Sequence, residues 1–433
     1  MSLRIAQAAA ALGLSLLFLS VYGLTMFLSS LRSDIPSYVL PLEQYAPFVP
    51  WLIIPYMSID LFFIASPFLL NSRRALLIHV QRITFAILFA GACFLLMPLQ
   101  FSFTRPHVDG PLGAVFNTFR SLDGPFNEFP SLHMTLLVLL TAVYWQRTRG
   151  TLRIALAVWF ALIALSPVLV YQHHLIDILG GLLLGLACLH LFHDHPRGST
   201  NPRVAALYLA GAVALTALIR FTPVWPHSLP LLWIPLAMLL VGIAYLRACP
   251  GIYRKHHGRL PLSTWLLFWP LLLAQHLSWR YYARQCDAHH PLTDRIWIGR
   301  LLTTRQANDA IHDGVVAVID LTVEFSQTSP FLLQNIAYLH LPTLDLTAPT
   351  PDQLNTALKF IETHTPGGIV YIHCKAGYSR TAIVAGAWLL HSHTCTPTTV
   401  HQILQRTRPT IILRPEATSS LAAFAGQTHA EKT

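Results

Sequence analysis

Runs of about 20 apolar residues recur through the first two-thirds of this 433-residue chain. They lie at residues 5–28, 48–70, 76–98, 132–146, 153–172, 174–193, 204–221 and 229–246. A helix needs about 20 apolar residues to cross a bilayer. A chain that is 54% hydrophobic and only 11% charged also differs from an ordinary soluble domain. The sequence therefore predicts a multi-span α-helical membrane bundle with eight crossings.

A ninth apolar segment, Leu262 to Trp279, is ambiguous because Pro270 lies in its middle. The cationic residues that flank it are Arg254, Lys255, Arg259, Arg280 and Arg284. Proline breaks a helix interior, and positive charge at both ends disfavours a crossing. We expect an interfacial or re-entrant segment, and a ninth span remains the alternative.

The excess positive charge belongs to the membrane half. Residues 1–280 contain 18 Lys and Arg against 8 Asp and Glu, whereas residues 281–433 contain 11 of each. This distribution argues against nucleic-acid binding. The arginines fall in alternate loops, as expected of cytoplasmic loops, so we expect an integral, multi-pass protein of the inner or plasma membrane with a cytoplasmic C-terminal domain. The six cysteines have no paired spacing that would indicate a disulfide framework.

A cysteine and an arginine bracket five residues in the segment His373–Thr381, directly after the apolar run Gly368–Ile372. The pattern predicts a strand that ends at Cys374, a loop that contains Gly377 and a helix that starts near Arg380. Backbone N–H groups then converge at a positive helix end, which binds a phosphate dianion and favours a thiolate.

This loop supplies a predicted nucleophile and its phosphate-binding groups. Cys374 is the predicted nucleophile, Arg380 offers a planar fork for two phosphoryl oxygens, and the Thr381 hydroxyl is placed to hydrogen-bond the sulfur as it leaves. The other predicted phosphate-site residues are Lys375, Ala376, Gly377, Tyr378 and Ser379. The alternative is a buried structural cysteine, which the combination of residue types in this context disfavours.

These residues resemble the cysteine-dependent dual-specificity phosphatases, over about residues 285–425. Arg295–Gly299 is similar to the family's first strand and Gly314–Leu321 to a central strand. The resemblance implies a small α/β domain with a central, mostly parallel sheet flanked by helices, and a phosphocysteine intermediate. In the family an aspartate on a loop before the nucleophile protonates the leaving oxygen. Asp345 stands in that place, with Asp352 as a nearby rival.

The residues inside the loop indicate a substrate class. Lys375-Ala376-Gly377 is similar to the loop of lipid-directed members, notably the phosphoinositide phosphatases and the mitochondrial phosphatidylglycerophosphate phosphatase. An added cation beside the nucleophile suits a substrate with more than one phosphate. The resemblance therefore favours a phospholipid head group as substrate.

A second polar constellation lies at the ends of the apolar runs, in loops predicted to face away from the cytoplasm. Its members are Arg105, Ser131, His133, Ser166, His173 and Asp177. His173 and Asp177 are four residues apart at a predicted helix start, so the carboxylate can hold the imidazole in its nucleophilic tautomer. His173 is the predicted nucleophile, His133 the acid for the leaving oxygen and Arg105 a partner for phosphate charge. Polar groups near a span are usually functional; the alternative is histidines that line a helix bundle.

This constellation resembles the type 2 phosphatidic acid phosphatase superfamily, over roughly residues 50–195. The usual motifs are Lys-x6-Arg-Pro, Pro-Ser-Gly-His and Ser-Arg-x5-His-x3-Asp. Here Pro98, Leu132 and Pro167 replace the lysine, the glycine and the second arginine. The sequences Phe-Pro-Ser-Leu-His and His-His-x-x-Asp are more similar to the inositol-phosphoceramide synthase branch, in which a lipid alcohol accepts the phosphoryl head group. Hydrolysis and transfer both remain open.

The predicted organisation is a fusion of two enzymes. Residues 1–200 form a helical lipid phosphatase or phosphotransferase domain, residues 201–284 add membrane helices and the interfacial segment, and residues 285–433 form the dual-specificity phosphatase-like domain. The expected function is a bifunctional membrane phosphatase that acts on phospholipid head groups.

Two other functions remain open. One is a membrane-tethered protein-tyrosine or dual-specificity phosphatase that acts on a phosphoprotein. The other is a non-catalytic phospholipid-binding scaffold, which the intact Cys374 and Arg380 disfavour. No cofactor is expected, and the 22 histidines lack the ligand spacing of a known metal site.

Overall fold

A computed structural model of the chain describes residues 2–122, 124–194, 197–392, 395–396 and 399–430. The chain forms two compact units. The first comprises Met1–His193 with Leu215–Trp233, and the second comprises Asp194–Ala214 with Ile234–Thr433.

The first unit is a bundle of apolar helices. Its complete helices are α1 (Leu3–Ser30), α2 (Ile53–Ala65), α3 (Arg73–Leu96), α4 (Gly110–Leu122), α5 (Leu132–Arg147), α6 (Gly150–Leu169) and α7 (Leu175–Leu191). Side-chain oxygens cap two of the predicted spans, because Ser2 accepts from the Ile5 amide and Ser72 from the Ala75 amide. The unit's core lies where α3 and α5 meet, around Ile83 and Leu140.

Six helical segments among the described residues are long and apolar enough to cross a membrane. They are Leu3–Ser30, Pro50–Leu69, Arg73–Leu96, Gly150–Leu169, Pro202–Arg220 and Leu229–Leu246. Each corresponds to one of the eight predicted spans. The two remaining predictions coincide with α5 and α7, which contain 16 and 17 residues. These two shorter helices begin at the polar motifs, and their first turns are buried in the bundle.

Small residues bring α5 and α7 close together at the ends that carry the motifs. A Cβ atom on Gly181 would lie 2.3 Å from the carbonyl oxygen of Ser131, so only glycine fits. The Thr135 hydroxyl donates to the Gly181 carbonyl at 3.0 Å, and the Ser131 amide donates to the Asp177 carbonyl at 3.0 Å. The two motif segments are therefore joined through backbone contacts.

Three further helices are α8 (Pro202–Arg220), α9 (Trp233–Leu246) and α10 (Leu262–Gln285). Most of α8, almost all of α9 and the whole of α10 fold with the second unit. The expectation that Pro270 breaks the last of these helices is wrong, since α10 continues through it. Burial of Leu267, Phe268 and Leu272 braces the helix on both sides of the proline. This packing offsets the lost backbone hydrogen bond.

The rest of the second unit is a five-stranded sheet flanked by helices. The strands are β1 (His289–Thr293), β2 (Ile296–Arg300), β3 (Val315–Asp320), β4 (Ala337–His340) and β5 (Ile369–Cys374). The helices are α11 (Thr304–His312), α12 (Ser329–Leu333), α13 (Pro351–His364), α14 (Ser379–His391), α15 (Val400–Thr407) and α16 (Pro415–Ala430). Among the described residues the order is β1-β2-β5-β3-β4, and β1 alone is antiparallel to its neighbour. The predicted fold class, a helical bundle followed by a mostly parallel α/β domain, is confirmed.

The sheet topology gathers the functional loops at one edge. Strand β5 lies between β2 and β3, and β3, β4 and β5 are parallel. Loops that follow parallel strands emerge at the same edge of a sheet. The loops after Cys374, Asp320 and His340 therefore lie side by side.

A buried ion pair ties the segment before α10 into this sheet. The Lys255 ammonium donates to a carboxylate oxygen of Asp320 and, at 2.9 Å, to the Thr322 carbonyl. The same carboxylate accepts from the Tyr338 hydroxyl at 2.9 Å. Both charged side chains are about 1% exposed or less. A buried charge needs such a partner, so the polypeptide that leads out of the apolar helices forms part of the α/β fold.

Candidate active sites

Cys374 is the last residue of β5 and is buried, with 3% exposure. The backbone N–H of Gly377 donates to its Sγ atom at 3.3 Å. Gly377 has a φ of +72°, and a Cβ there would lie 2.6 Å from the Gly299 carbonyl, so glycine is required. The loop thus aims the Gly377 amide at the sulfur beside the start of α14, and the N-terminus of a helix is a favourable place to bind an anion.

Arg380, in the first turn of α14, is held by a carboxylate that the sequence analysis missed. Its Nη2 and Nη1 atoms lie 2.7 and 3.2 Å from the two carboxylate oxygens of Glu324, and Nη1 also donates to the Thr343 carbonyl at 3.0 Å. All of these groups are buried. The paired carboxylate fixes the plane of the guanidinium before any phosphate arrives.

The structure brings Asp345 to this site and leaves Asp352 away from it. The two carboxylate oxygens of Asp345 lie 3.3 Å from Arg380 and 3.5 Å from the Lys375 ammonium. Burial favours the neutral acid, but Arg380 and Lys375 more than offset burial and lower the pKa of Asp345. Asp352 is instead exposed in the first turn of α13.

Helix α10 contacts the cysteine loop from outside the sheet. The Lys375 ammonium donates to the Gln275 side-chain oxygen at 2.9 Å and lies 3.5 Å from the Ser278 hydroxyl. The rings of Tyr282 and Tyr378 are 5.5 Å apart. A helix that the family resemblance did not include therefore supplies polar partners to the loop's extra cation.

Other predicted members of the phosphate site have structural contacts. Ser379 begins α14, and the Ala376 carbonyl accepts from the buried Arg408 at 3.3 Å. The Thr381 hydroxyl donates to the Gly299 carbonyl of the neighbouring strand at 3.4 Å, and its bond to the departing sulfur stays a prediction.

Side chains at the ends of two apolar helices hold the loop that carries Asp345. The Tyr245 hydroxyl, near the end of α9, donates to the Asp345 carbonyl at 2.8 Å. Just before α8, the Asn201 amide donates to the Leu346 carbonyl at 2.8 Å and the Ser199 hydroxyl to the Ala348 carbonyl at 2.7 Å. Leu346 has a φ of +58°, a conformation that costs energy for a branched residue. The three bonds stabilise this strained loop.

In the first unit, His173 lies between two carboxylates. Its Nδ1 atom is 2.8 Å from Glu128 and 3.8 Å from Asp177, and all three side chains are buried. A proton held on Nδ1 beside these carboxylates leaves Nε2 as the atom able to attack phosphorus. Burial opposes a charge on the ring, but Glu128 and Asp177 outweigh burial and raise the pKa of His173.

Sequence reasoning missed Glu128, which belongs to neither motif template. The available signal was its position, since it lies three residues before Ser131 in the loop that leads to His133. The ligand atoms of Glu128, His173 and Asp177 lie within 4.8 Å of one another, a spacing that also suits a cation.

The neighbouring His174 also pairs with a buried carboxylate, and this pair was not predicted either. Its Nδ1 atom lies 2.6 Å from Glu43, and both side chains are 2% exposed. Its backbone amide donates to the Asp177 carboxylate at 2.9 Å. Asp177 therefore has two tasks, because it caps the start of α7 and also faces His173.

The remaining predicted residues have local partners. The His133 ring stacks on Tyr56, with centroids 4.4 Å apart, and its Nε2 lies 3.3 Å from the Ile163 carbonyl. That carbonyl also accepts from the Ser166 hydroxyl at 2.9 Å. Ser131 caps α5 by accepting from the Met134 amide, and Arg105 donates to the Tyr171 carbonyl at 3.0 Å.

Comparisons with known proteins match both halves. The model of the dual specificity phosphatase catalytic domain matches residues 302–427, and that of the PAP2 superfamily matches residues 80–198. The human phosphatidylglycerophosphatase and protein-tyrosine phosphatase 1 is 28% identical over 178 residues, which cover 39% of this chain and 89% of that protein. Mouse dual specificity protein phosphatase 19 is 29% identical over 128 residues, covering 27% of this chain and 56% of the relative.

Among solved structures, the crystal structure of PTPMT1 covers 34% of this chain and 99% of its own, at 26% identity and a TM-score of 0.31. The inositol-phosphoceramide synthase-like branch remains a prediction, since the PAP2 match does not resolve branches. The two family matches confirm the predicted fusion: this chain joins a PAP2 superfamily domain to a dual specificity phosphatase catalytic domain.

Proposed function

We propose that this protein is a multi-pass membrane enzyme with two separate phosphoryl-transfer sites, both directed at phospholipid head groups. The Cys374 site hydrolyses a lipid phosphate monoester. The His173 site removes or transfers a lipid phosphoryl group.

At the first site, the Cys374 thiolate attacks phosphorus while Arg380 binds two phosphoryl oxygens. The phosphorus–oxygen bond to the leaving group breaks, and Asp345 gives its proton to that oxygen. Water then attacks the phosphocysteine, its proton passes to Asp345, and the thiolate departs with release of inorganic phosphate. A bound dianion offsets the charges of Arg380 and Lys375, so it favours the protonated Asp345 that the first step needs.

The observation that carries the lipid assignment is the anchoring of the acid loop. Asn201 and Tyr245, at the ends of two helices apolar enough to span a membrane, hold the backbone beside Asp345. The ends of spanning helices lie at the level of lipid head groups. Lys375 adds a second cation beside the nucleophile, and the human relative's name includes phosphatidylglycerophosphatase.

At the second site, Nε2 of His173 attacks phosphorus, the phosphorus–oxygen bond breaks and His133 protonates the leaving oxygen. A water molecule or a lipid alcohol then accepts the phosphoryl group from His173. Support comes from the carboxylates that orient Nδ1 and from the backbone bond that joins the Ser131 and Asp177 segments. Free phosphate or a free head group as product indicates hydrolysis, whereas a new head group on a second lipid indicates transfer.

The test of substrate class uses full-length protein in liposomes. Phosphate release is measured from phosphatidylglycerophosphate and phosphoinositides within the bilayer and from soluble phosphotyrosine peptides, with the Cys374→Ser variant as background. We expect lipid phosphates to be turned over at least tenfold faster at equal concentration. Preference for the peptides would replace the lipid assignment with a tethered protein phosphatase, and binding of lipid without turnover of any substrate would indicate a scaffold.

We further propose that the C-terminal domain is cytoplasmic. The helix ends marked by Arg73 and Arg74, and by Arg147 and Arg149, are predicted to lie on the cytoplasmic side. The segment that leads into this domain carries Arg254 and Arg259. A membrane-impermeant thiol reagent should label the partly exposed Cys395 in permeabilised cells only, with Cys395→Ser as the control. Labelling of Cys395 in intact cells would place the domain outside.

A further inference from the structure

Helix α10 exposes a row of large apolar side chains. Exposure is 72% for Leu262, 42% for Leu266, 46% for Trp269, 45% for Leu273 and 58% for Leu277. At about 100° per residue, these five positions fall within an arc of about 80° on one face of the helix. Residues scattered at random around a helix would not form such a stripe.

The opposite face of α10 is occupied by the second unit. Leu267, Phe268 and Leu272 are fully buried there. Farther along, Gln275 and Ser278 contact Lys375 of the cysteine loop, and the Trp279 indole donates to the Leu301 carbonyl at 3.1 Å. The helix is therefore fixed along its length by one face, while the apolar face is uncovered.

We propose that the exposed apolar face of α10 lies in the interfacial layer of an anionic bilayer and orients the cysteine site toward it. Two exposed cations, Arg280 and Arg284, continue the same stripe and suit anionic head groups. Trp269 lies on the stripe and Tyr281, 60% exposed, at its edge; both are of the types enriched at membrane interfaces. An apolar row that ends in cations matches a lipid surface better than it matches a protein partner.

The membrane is also close to α10 in the chain. Helix α9 is apolar enough to span, and only the short segment 247–261 separates it from α10. Tyr253 in that segment packs on Phe268, with ring centroids 4.9 Å apart, and its carbonyl accepts from the Thr264 hydroxyl. This contact fixes α10 beside the end of a spanning helix, where lipid head groups begin.

This placement has a consequence for catalysis. A helix with its side chains is about 10–12 Å thick, and Lys375 contacts the side of α10 opposite the stripe. The cysteine loop is thereby held about one helix diameter from the apolar layer, within reach of a lipid head group. Contact of this face with the bilayer does not depend on the proposed function, because it can be tested without measuring turnover.

The direct test attaches a nitroxide spin label to the exposed apolar face of α10. Leu273→Cys and, as a matched control, Leu333→Cys are labelled in full-length protein carrying Cys286→Ser, Cys374→Ser and Cys395→Ser; the other three cysteines are buried. Leu333 is 71% exposed and precedes β4, at the sheet edge away from the catalytic loops. In liposomes with phosphatidylglycerol, position 273 should be relaxed by oxygen and shielded from a water-soluble nickel complex, with the reverse at position 333.

Equal access of the nickel complex to both positions would overturn the proposal. Shielding of position 273 from both reagents would also overturn it, since that result indicates coverage by protein such as a second copy of the chain.

A kinetic test follows from the same geometry. Leu273→Gln should lower turnover of vesicle-borne lipid phosphate about tenfold at low surface concentration and leave turnover of a soluble aryl phosphate unchanged. Leu333→Gln should change neither. Equal loss of both activities in Leu273→Gln would indicate damage to the fold and contradict an orienting role. If no lipid phosphate is a substrate, the nitroxide result still decides whether α10 contacts the bilayer, so failure of the proposed function is distinguishable.

Discussion

The Nδ1 atom of His173 and a carboxylate oxygen of Glu128 lie 2.8 Å apart, and both side chains are almost fully buried. This ion pair orients the ring, and the charged carboxylate also stabilises the imidazolium form. A histidine nucleophile needs a neutral ring. Glu128 therefore both orients the His173 ring and raises the pKa of that ring.

The first prediction follows from this coupling. Because the pKa of His173 is raised, the neutral ring accumulates as pH rises through that pKa, and activity of the membrane site should increase on the alkaline side. Glu128→Gln keeps a hydrogen-bond acceptor but removes a charge, so the pKa should fall. We expect the rise in the pH–rate profile to move down by about one pH unit or more. An unchanged midpoint would remove Glu128 from this role, and loss of activity with EDTA would point to a cation in its place.

The second prediction is that the two sites work independently. In full-length protein, Cys374→Ser should reduce hydrolysis of a soluble aryl phosphate to background, because it removes the proposed nucleophile of the loop. His173→Ala should leave that hydrolysis within about twofold and abolish one lipid activity. Thermal unfolding of both variants serves as the folding control. A single substitution that silences both reactions would contradict the two-site model.

The third prediction tests Asp345 as the general acid. Asp345→Asn should slow hydrolysis of alkyl phosphates about 100-fold or more and slow a nitrophenyl phosphate less than tenfold, since a good leaving group needs little protonation. Asp352→Asn is the matched control, because Asp352 is exposed on α13. Equal losses on both substrates would show that Asp345 acts by another route.

The fourth prediction concerns the hydroxyl that holds the acid loop. Tyr245→Phe removes the 2.8 Å bond to the Asp345 carbonyl and keeps the ring packing. One hydrogen bond is worth about 0.5–1.5 kcal/mol, so turnover of alkyl phosphates should fall about threefold to tenfold with KM almost constant. Tyr208→Phe, which alters the adjacent ring 6.0 Å away, is the control. A change in KM alone would indicate a substrate-binding role.

The fifth prediction concerns the buried ion pair. Lys255→Met leaves the Asp320 carboxylate buried without its cation, which should lower the free energy of unfolding by about 3–5 kcal/mol. Adding Asp320→Asn should recover part of this loss. Lys359→Met, on the exposed surface of α13, should change stability by less than about 0.5 kcal/mol. A stable single variant would mean that the pair contributes little.

Much of the architecture could be predicted because it depends on local patterns. Apolar length located the helical segments of the bundle, and β5 ends at Cys374, where the loop signature begins. Strand β1 escaped prediction because its residues, such as His290 and Pro291, lack a strand pattern. It forms by pairing with β2.

The two site carboxylates that were not predicted from the sequence were missed for the same reason. Glu128 and Glu324 are isolated carboxylates whose partners, His173 and Arg380, lie 45 and 56 residues away in the chain. No spacing rule links such residues, since only the tertiary fold brings them together. The continuity of α10 through Pro270 likewise depends on packing that the local sequence does not encode.

The Lys255–Asp320 pair also determines where the phosphatase can be cut from the rest of the chain. The family match begins at residue 302 and the predicted domain at residue 285, yet the cation that neutralises the centre of the sheet comes from residue 255. A fragment trimmed to either boundary would lack that cation and all of α10 before residue 285. Soluble fragments and domain grafts would therefore need to start upstream of Pro250, within polypeptide that a domain map assigns to the membrane. The segment that links the apolar helices to the phosphatase is therefore a buried part of the catalytic fold and not a flexible tether.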